Sequence, residues 1–367
     1  MKSNKKMTYS LSGVNYSDID PIKKLAQISA QSTALNLKKS GFNEISASRG
    51  ESAYVWQQGN ILMASVIEGL GTKNLVADAM KKSGKTYYDV VAHDTVATII
   101  NDLVSVGAKP LSLHAYWAVG DSKWLGDKQR MKDLISGWKS ACDTAGVSWG
   151  GGETPAYAGI INPETIDLAG SAVGIIKDKS NLLTDKKIKA GDRIIFLKSN
   201  GINANGLSLA RALAKKLPAG YNTKLKNKTY GEALLTKSNI YANFIQDLFK
   251  NKIDLHYISN ITGHGLRKVM RGRPNFTYVI EKIFEAQKLF QFIQTVSGMN
   301  DYEMYQTFNM GQDYAIFLPA KDVNKALKII KQNKFTGLDA GYVAKGKKQV
   351  IIKPKNLVYS ENTLDLR

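Results

Sequence analysis

Apolar positions along the chain switch between a period near 3.6 and a period of two, and the switches divide it into alternating helices and strands. Ile22, Leu25, Ile28 and Leu35 fall near helical spacing, with Asp20 placed to cap, Pro21 at the first helical position and Gly41 ending the segment. From Gly41 to Gln58 the pattern lapses into Gly, Ser, Asn and Glu, which predicts an irregular, mobile loop. Ile61 to Ile67 then reads as a strand, Tyr88 to Val106 as a helix closed by Gly107, and Leu111 to Val119 as a strand. Met131, Leu134, Ile135, Trp138, Ala141 and Ala145 make an amphipathic helix stopped by Gly146, and Asp167 to Ile176 is a further strand.

Lys177 to Lys189, rich in Lys, Asp, Ser and Asn, is the best linker in the sequence and divides it into domains at 1–180 and 181–367. Beyond it the expected elements are a strand (Arg193 to Lys198), a small-residue loop opening a helix through Leu213, and a strand near Leu255 to Ser259. A glycine loop at Ile261 to Leu266 enters a short basic helix with Arg267, Lys268 and Arg271. A helix (Ala286 to Val296), a loop (Met304 to Gly311), a strand (Tyr314 to Leu318), a helix (Val323 to Gln332) and a strand (Asp339 to Val343) complete an α+β half.

Within the helix from Tyr88, the polar residues Asp94, Thr98, Asn101 and Asp102 share one stripe of an otherwise apolar surface. Polar groups on a mostly buried helix are unfavourable unless something satisfies them, so the stripe is either a solvated face with a capping Asp or a metal or phosphate site. A second concentration lies at Trp149-Gly150-Gly151-Gly152-Glu153-Thr154-Pro155. Three glycines let backbone approach an anion closely, and a carboxylate beside a phosphate reaches it through Mg²⁺; the plainer alternative is a flexible turn.

Composition narrows the class. The chain has 367 residues, 43% apolar and 9% aromatic, which makes two compact domains the default. The single cysteine, Cys142, forms no internal disulfide, the polar run Met1 to Lys6 does not resemble a signal peptide, and no apolar run is long enough to span a membrane, so a cytoplasmic protein without membrane partners is expected. A net charge of +20 raises the question of nucleic acid, but Lys outnumbers Arg and is spread along the chain, which argues against a nucleic-acid groove and leaves nucleotides as candidate anions. Ser83-Gly84-Lys85-Thr86 imitates a P-loop but has Ala79 where that motif needs glycine, and the four histidines have no zinc spacing. His264, between two glycines, is the histidine with access to a site.

Seven segments in order resemble the aminoimidazole ribonucleotide synthetase (phosphoribosylformylglycinamidine cyclo-ligase) family: Glu68 to Lys73, Asp94 to Leu103, Gly107 to Leu111, Gly151 to Thr154, Asn205 to Leu209, Ile261 to Gly263 and Glu303 to Asn309. The resemblance implies a two-domain α+β fold, an N-terminal α+β domain whose strands pair across a homodimer and a C-terminal α/β domain closing the substrate cleft. It implies an ATP- and Mg²⁺-dependent ligase of purine synthesis that phosphorylates the formyl oxygen of formylglycinamidine ribonucleotide and closes the imidazole ring. The implied site has Asp102, Glu153 and Lys73 as catalytic residues and Glu68, Asp94, Asp102 and Glu153 as Mg²⁺ ligands. Glu68, Gly69, Gly71, Thr72, Asp94, Asn101, Gly151, Gly152 and Thr154 would contact the nucleotide, and Asn203, Asn205, Gly206, Ser208, Thr262, Gly263, His264 and Gly265 the ribonucleotide. The four carboxylates are expected to converge on one metal ion, and the enzyme reading is staked on that convergence.

Four departures stand against the family pattern: Glu68 for Asp, Asn203 for His, His264 for Gly, and Gln312-Asp313 for small residues, with the segment from Gly41 to Tyr54 shortened and polar. A small-molecule kinase of the same superfamily, or a non-catalytic nucleotide-binding paralogue, is therefore the alternative; Cys142 is in the wrong place for the selenide-type kinases.

Overall fold

The computed structural model describes residues 16–82 and 85–364. The P-loop lookalike at Ser83 and Gly84 lies outside them. The N-terminal half is built on a six-stranded sheet. Its labelled strands are β1 (Tyr54–Gln58), β2 (Ile61–Gly69), β3 (Lys109–Val119), β4 (Ser148–Glu153) and β5 (Ile166–Ile176). The spatial order is Asn43–Glu44, β1, β2, β5, β3, β4; the last pair is parallel and the others antiparallel. Strand β5 buries every second residue, from Ile166 to Ile176, because strand side chains alternate between faces.

The helices α1 (Tyr16–Ser32), α2 (Asn74–Met80), α3 (Tyr88–Val104) and α4 (Lys128–Ala145) accompany this sheet, with a further short helix at Ala34–Lys39. Helix α3 covers the inner face with Val96, Ile99, Ile100 and Leu103, all buried. Helix α4 crosses α3 so closely that a Cβ at Gly137 would lie 2.5 Å from Asp89 backbone, which explains a glycine in mid-helix. Each buried Leu or Ile of this layer is worth about 1.5–3 kcal/mol relative to exposure.

The C-terminal half carries a seven-stranded sheet: β6 (Arg193–Lys198), β7 (Tyr257–Asn260), β8 (Phe276–Ile280), β9 (Gln312–Leu318), β10 (Gly337–Lys345), β11 (Gln349–Ile352) and β12 (Leu357–Ser360). Its order is β7, β9, β6, β10, β8, β11, β12, with only β8 and β11 parallel. Helices α5 (Leu207–Ala214), α6 (Ala242–Lys250), α7 (Lys288–Ser297), α8 (Asp301–Thr307) and α9 (Val323–Gln332) accompany it. Strand β9 is buried at all seven positions, being covered on both faces.

Several sequence expectations change. Helix α1 begins at Tyr16 and runs through Pro21, and Ile22, Leu25, Ile28 and Leu35 point to solvent instead of a core. The segment from Gly41 to Gln58 contains strand β1 and a short 3-10 turn, Ser46–Ser48, and is tethered. The glycine triplet is not a turn but the edge strand β4, and Met304 to Thr307 is helical. The basic segment after Gly265 is a 3-10 helix, Gly265–Met270. Linker residue Asp185 is fixed by the Arg273 guanidinium, at 2.7 and 2.9 Å.

Candidate active site

The polar stripe of α3 faces the C-terminal half, and most of it is a seam between the halves. Asp94 is fully buried, forms an ion pair with the equally buried Lys73, and accepts the Ser238 backbone N–H at 2.8 Å. The Lys73 ammonium also donates to the carbonyls of Asn203 (3.1 Å) and Thr236 (2.9 Å). Asn101 donates to the Asn239 carbonyl at 2.8 Å and accepts from the Tyr241 N–H at 3.0 Å. Every polar atom here is answered by protein, so neither a solvated face nor a metal site describes Asp94 and Asn101.

One turn on, the same stripe opens into a cavity of about 780 Å³ between the N-terminal sheet and the C-terminal half. Thr98 and Asp102 line it from α3, Glu68 and Gly69 from β2, and Thr262, Gly263, His264, Lys268 and Arg271 from the segment after β7. Asp102 accepts the Asn260 amide at 2.8 Å. Burial, and then the neighbouring Asp102 charge, push the Glu68 carboxyl up to about 8. Burial and then Arg271 bring the Lys268 ammonium down to about 7, against the pull of Asp102 and Glu68. His264 takes φ +77°, a conformation that disfavours any residue with a Cβ, and its Nε2 lies 3.4 Å from the Asp20 carboxylate of α1. Burial lowers this imidazole to about 3, so it is neutral at physiological pH.

The segment expected to be mobile forms another wall. Arg271 donates to Ser52 Oγ (2.7 Å) and the Gly50 carbonyl (2.9 Å), the Tyr257 hydroxyl to Glu51 (2.8 Å), and Arg273 to the Ala47 carbonyl (3.0 Å). These bonds tie residues 47–52 to the C-terminal half.

The single chain does not gather the expected metal quartet. Glu68 and Asp102 share the cavity, but Asp94 is sealed with Lys73, and Glu153 is exposed on β4, three strands across the sheet from β2. Among the described residues no three acidic, His or Cys side chains cluster as a metal site. The glycines beside Glu153 serve packing: a Cβ at Gly152 would sit 2.1 Å from the Ala115 carbonyl and one at Gly150 2.7 Å from the His114 ring, because β4 presses flat on β3. Gly151, Gly152 and Thr154 therefore lie off the cavity with Glu153. The enzyme reading now rests on the Glu68–Asp102 cavity and on kinship.

Asn205 lines the cavity, whereas Gly71, Thr72, Gly206, Ser208 and Gly265 do not. The Thr72 hydroxyl is buried with no hydrogen-bond partner among the described residues. Gly206 caps α5 under the Phe308 ring, and Gly265 lies under the Tyr305 carbonyl. Asn203 turns away and donates to Asp313 at 2.6 Å. Sequence reasoning missed Lys268, Arg271, Lys23 and the loop at 48–53. A lysine flanked by Arg267 and Val269 in a basic run looks solvated, and nothing local signals that it is buried.

Helix α1 lies over this cavity with Lys23 and Gln27. No helix among the described residues is long and apolar enough to cross a membrane. The chain is 33% identical over 329 residues to a phosphoribosylformylglycinamidine cyclo-ligase of Methanobrevibacter smithii, covering 89% of this chain and 91% of the relative. Among solved structures it is similar to AaThiL complexed with AMPPCP and TMP (TM-score 0.58, 13% identity, 84% and 89% of the two chains). It is also similar to hydrogenase maturation protein HypE in complex with ATP (TM-score 0.58, 14% identity, 85% and 88%). Residues 50–176 match the N-terminal domain model, and residues 189–353 the C-terminal domain model, of AIR synthase related proteins, and the chain belongs to that family.

Proposed function

We propose that the chain is an ATP-dependent ligase that converts formylglycinamidine ribonucleotide to aminoimidazole ribonucleotide in purine synthesis. The formyl oxygen takes the γ-phosphoryl group of ATP and releases ADP. The amidine nitrogen then attacks the activated carbon, closes the ring and expels phosphate. The observation that carries this reading is one-third identity to a cyclo-ligase through both halves of the chain. The cavity supports it, since phosphoryl transfer needs positioning and charge neutralisation more than a protein nucleophile.

Mg²⁺ suits the two carboxylates. Glu68 and Asp102 are hard oxygen donors side by side, and their mutual repulsion calls for a cation. A site of two carboxylates is enough, because Mg²⁺ takes its remaining ligands from water and phosphate. When bound, the ion would neutralise charge developing on the phosphoryl oxygens. The chain's own part is to hold Glu68 and Asp102 together, to fix the 48–53 wall through Arg271 and Tyr257, and to shield the ligand with α1.

We assign ATP and Mg²⁺ binding and dimerisation to residues 1–180 and closure of the substrate cleft to 181–367. Strand β4 is a flat, exposed glycine edge, the kind of edge that needs a covering strand. A homodimer that covers it is the route by which Glu153 would reach a cavity, that of the neighbouring subunit. The protein would work in the cytoplasm. Phosphate release from ATP that requires formylglycinamidine ribonucleotide, and rescue of a purine auxotroph, are expected; ATP consumption indifferent to that substrate removes the reading.

A further inference from the structure

One wall of the cavity concentrates positive charge that no carboxylate of the described residues pairs with directly. Lys268 is only 8% exposed and lines the cavity, yet no carboxylate comes within ion-pair reach of its ammonium and no hydrogen bond holds it. Arg271 stands beside it on the same wall. Its two Nη atoms are taken by Ser52 and Gly50, and its Nε is buried without an acceptor. Lys23, one turn beyond the Asp20 that meets His264, lines the cavity from α1. Neutral His264 between them adds no charge.

Three cations around one space, one of them nine-tenths buried and without an ion-pair partner, are mutually unfavourable, since burial and like charge both oppose the ammonium. Glu68 and Asp102 relieve this only in part: their charges favour the ammonium, but neither comes within ion-pair reach of it, and Asp102 takes the Asn260 amide. An anion seated on this wall would relieve the repulsion and restore the ammonium. Carboxylates and cations lining one cavity suit a ligand that brings both a cation and an oxyanion.

We propose that Lys268, Arg271 and Lys23 form a seat for a phosphate group of the ligand, in the cavity that holds the Glu68–Asp102 pair. The identity of that ligand rests on the ligase reading, and two sources carry the same chemistry: the triphosphate of ATP and the 5′-phosphate of the ribonucleotide. Lys268 and Arg271 ride on the 3-10 helix Gly265–Met270 and its C-terminal end, so they are fixed before the ligand arrives, whereas Lys23 belongs to the covering helix. The seat thus joins a rigid floor to an element above the cavity mouth.

The test uses the full chain as wild type, Lys268→Gln, Lys268→Arg and Lys23→Gln, with ATP and formylglycinamidine ribonucleotide varied separately. A charge-assisted hydrogen bond lost to Gln should raise KM for one of the two substrates about tenfold to a hundredfold, with kcat little changed. Lys268→Arg should recover most of it. A rise confined to ATP identifies the triphosphate, and one confined to the ribonucleotide identifies the 5′-phosphate. Lys23→Gln, on an exposed helix where folding is not at stake, should raise the same KM by a few-fold. Unchanged KM for both substrates in Lys268→Gln, or a fall in kcat alone, overturns the seat. Should the wild type show no turnover, the ligase reading fails. Calorimetry with pyrophosphate and ribose 5-phosphate then decides the seat: binding weakened about tenfold in Lys268→Gln upholds it, and equal or absent wild-type binding overturns it.

Discussion

Asp94 and Asp102 stand eight residues apart on one stripe of α3, and their surroundings are opposite. Asp94 is wholly buried and fully answered, by the Lys73 ammonium and the Ser238 N–H, so it bolts the two halves together. Asp102 takes the Asn260 amide and lies against a second carboxylate, Glu68, in the cavity. Both are buried polar groups on an apolar helix, and only the accounting of partners separates them. A carboxylate whose lone pairs are spent on protein is structural, whereas one left half-answered beside a like charge is prepared for a ligand.

The largest expected effect is on the sealed side. Lys73→Met strands the Asp94 charge in a dry seam and should lower stability by about 3–5 kcal/mol, read as a shift in urea midpoint. Adding Asp94→Asn, which keeps an oxygen for Ser238 but removes the charge, should recover part of the loss. A double variant no better than Lys73→Met would mean that the pair is not the bolt described. On the open side the signs reverse. Asp102→Asn should reduce turnover about a hundredfold or more, as losses of transition-state charge stabilisation do. It should leave the melting temperature level or higher, since repulsion with Glu68 is relieved. A melting temperature that falls as far as in Lys73→Met would erase the distinction.

How much of this could be read beforehand follows from the range of each signal. Periodicity located α3, α4 and most central strands, because burial on one face is written into neighbouring residues. The two-domain α+β fold was legible in that pattern and in seven ordered segments. Strand β1 was not, since Tyr54-Val55-Trp56-Gln57-Gln58 does not alternate cleanly. The site was half legible. Glu68 and Asp102 announce themselves as carboxylates in apolar settings, but Glu153 after three glycines reads the same whether the glycines wrap a phosphate or lie flat on β3. Partners distant in sequence were invisible: Lys73 meets Asn203 and Thr236 across the linker, and Lys268 owes its burial to the fold. The departures from the family pattern turn out to be paired. Asn203 binds Asp313, and His264 meets Asp20.

The open pair also predicts a pH signature. Glu68 titrates near 8 in the fold against 4.5 as an ordinary carboxyl, so between those values the folded chain holds a proton that the unfolded chain has lost. Glu68 should therefore contribute a decline in stability as pH rises from about 4.5 towards 8, set against the rise that His264, held down to about 3, contributes up to about 6.5 and that Lys268 contributes above about 7. Glu68→Gln should flatten that decline. Saturating Mg²⁺ should flatten it too in the wild type, by favouring the ionised carboxylate, and thermal melts across this window check both.

Asp313 supplies a third case, sealed like Asp94 but without a counter-ion. It is buried against the seam and held by neutral donors, the Tyr241 hydroxyl and the Asn203 amide, each at 2.6 Å, with Asn239 at 3.5 Å. Burial outweighs those donors and pushes its carboxyl up to about 6. Asn203 itself takes φ +59°, where alanine would add strain, so Asn203→Gly is the change that removes only the amide. At pH 7.5, where Asp313 is ionised, losing one of its donors should cost about 1 kcal/mol. At pH 5 the folded carboxyl is already protonated, the donor matters less, and the difference should shrink towards zero. Combining Asn203→Gly with Asp313→Asn should abolish the pH dependence of that loss. Equal losses at both pH values would show that the bond contributes through shape alone, and that a buried carboxylate here needs no more than a well-fitted neighbour.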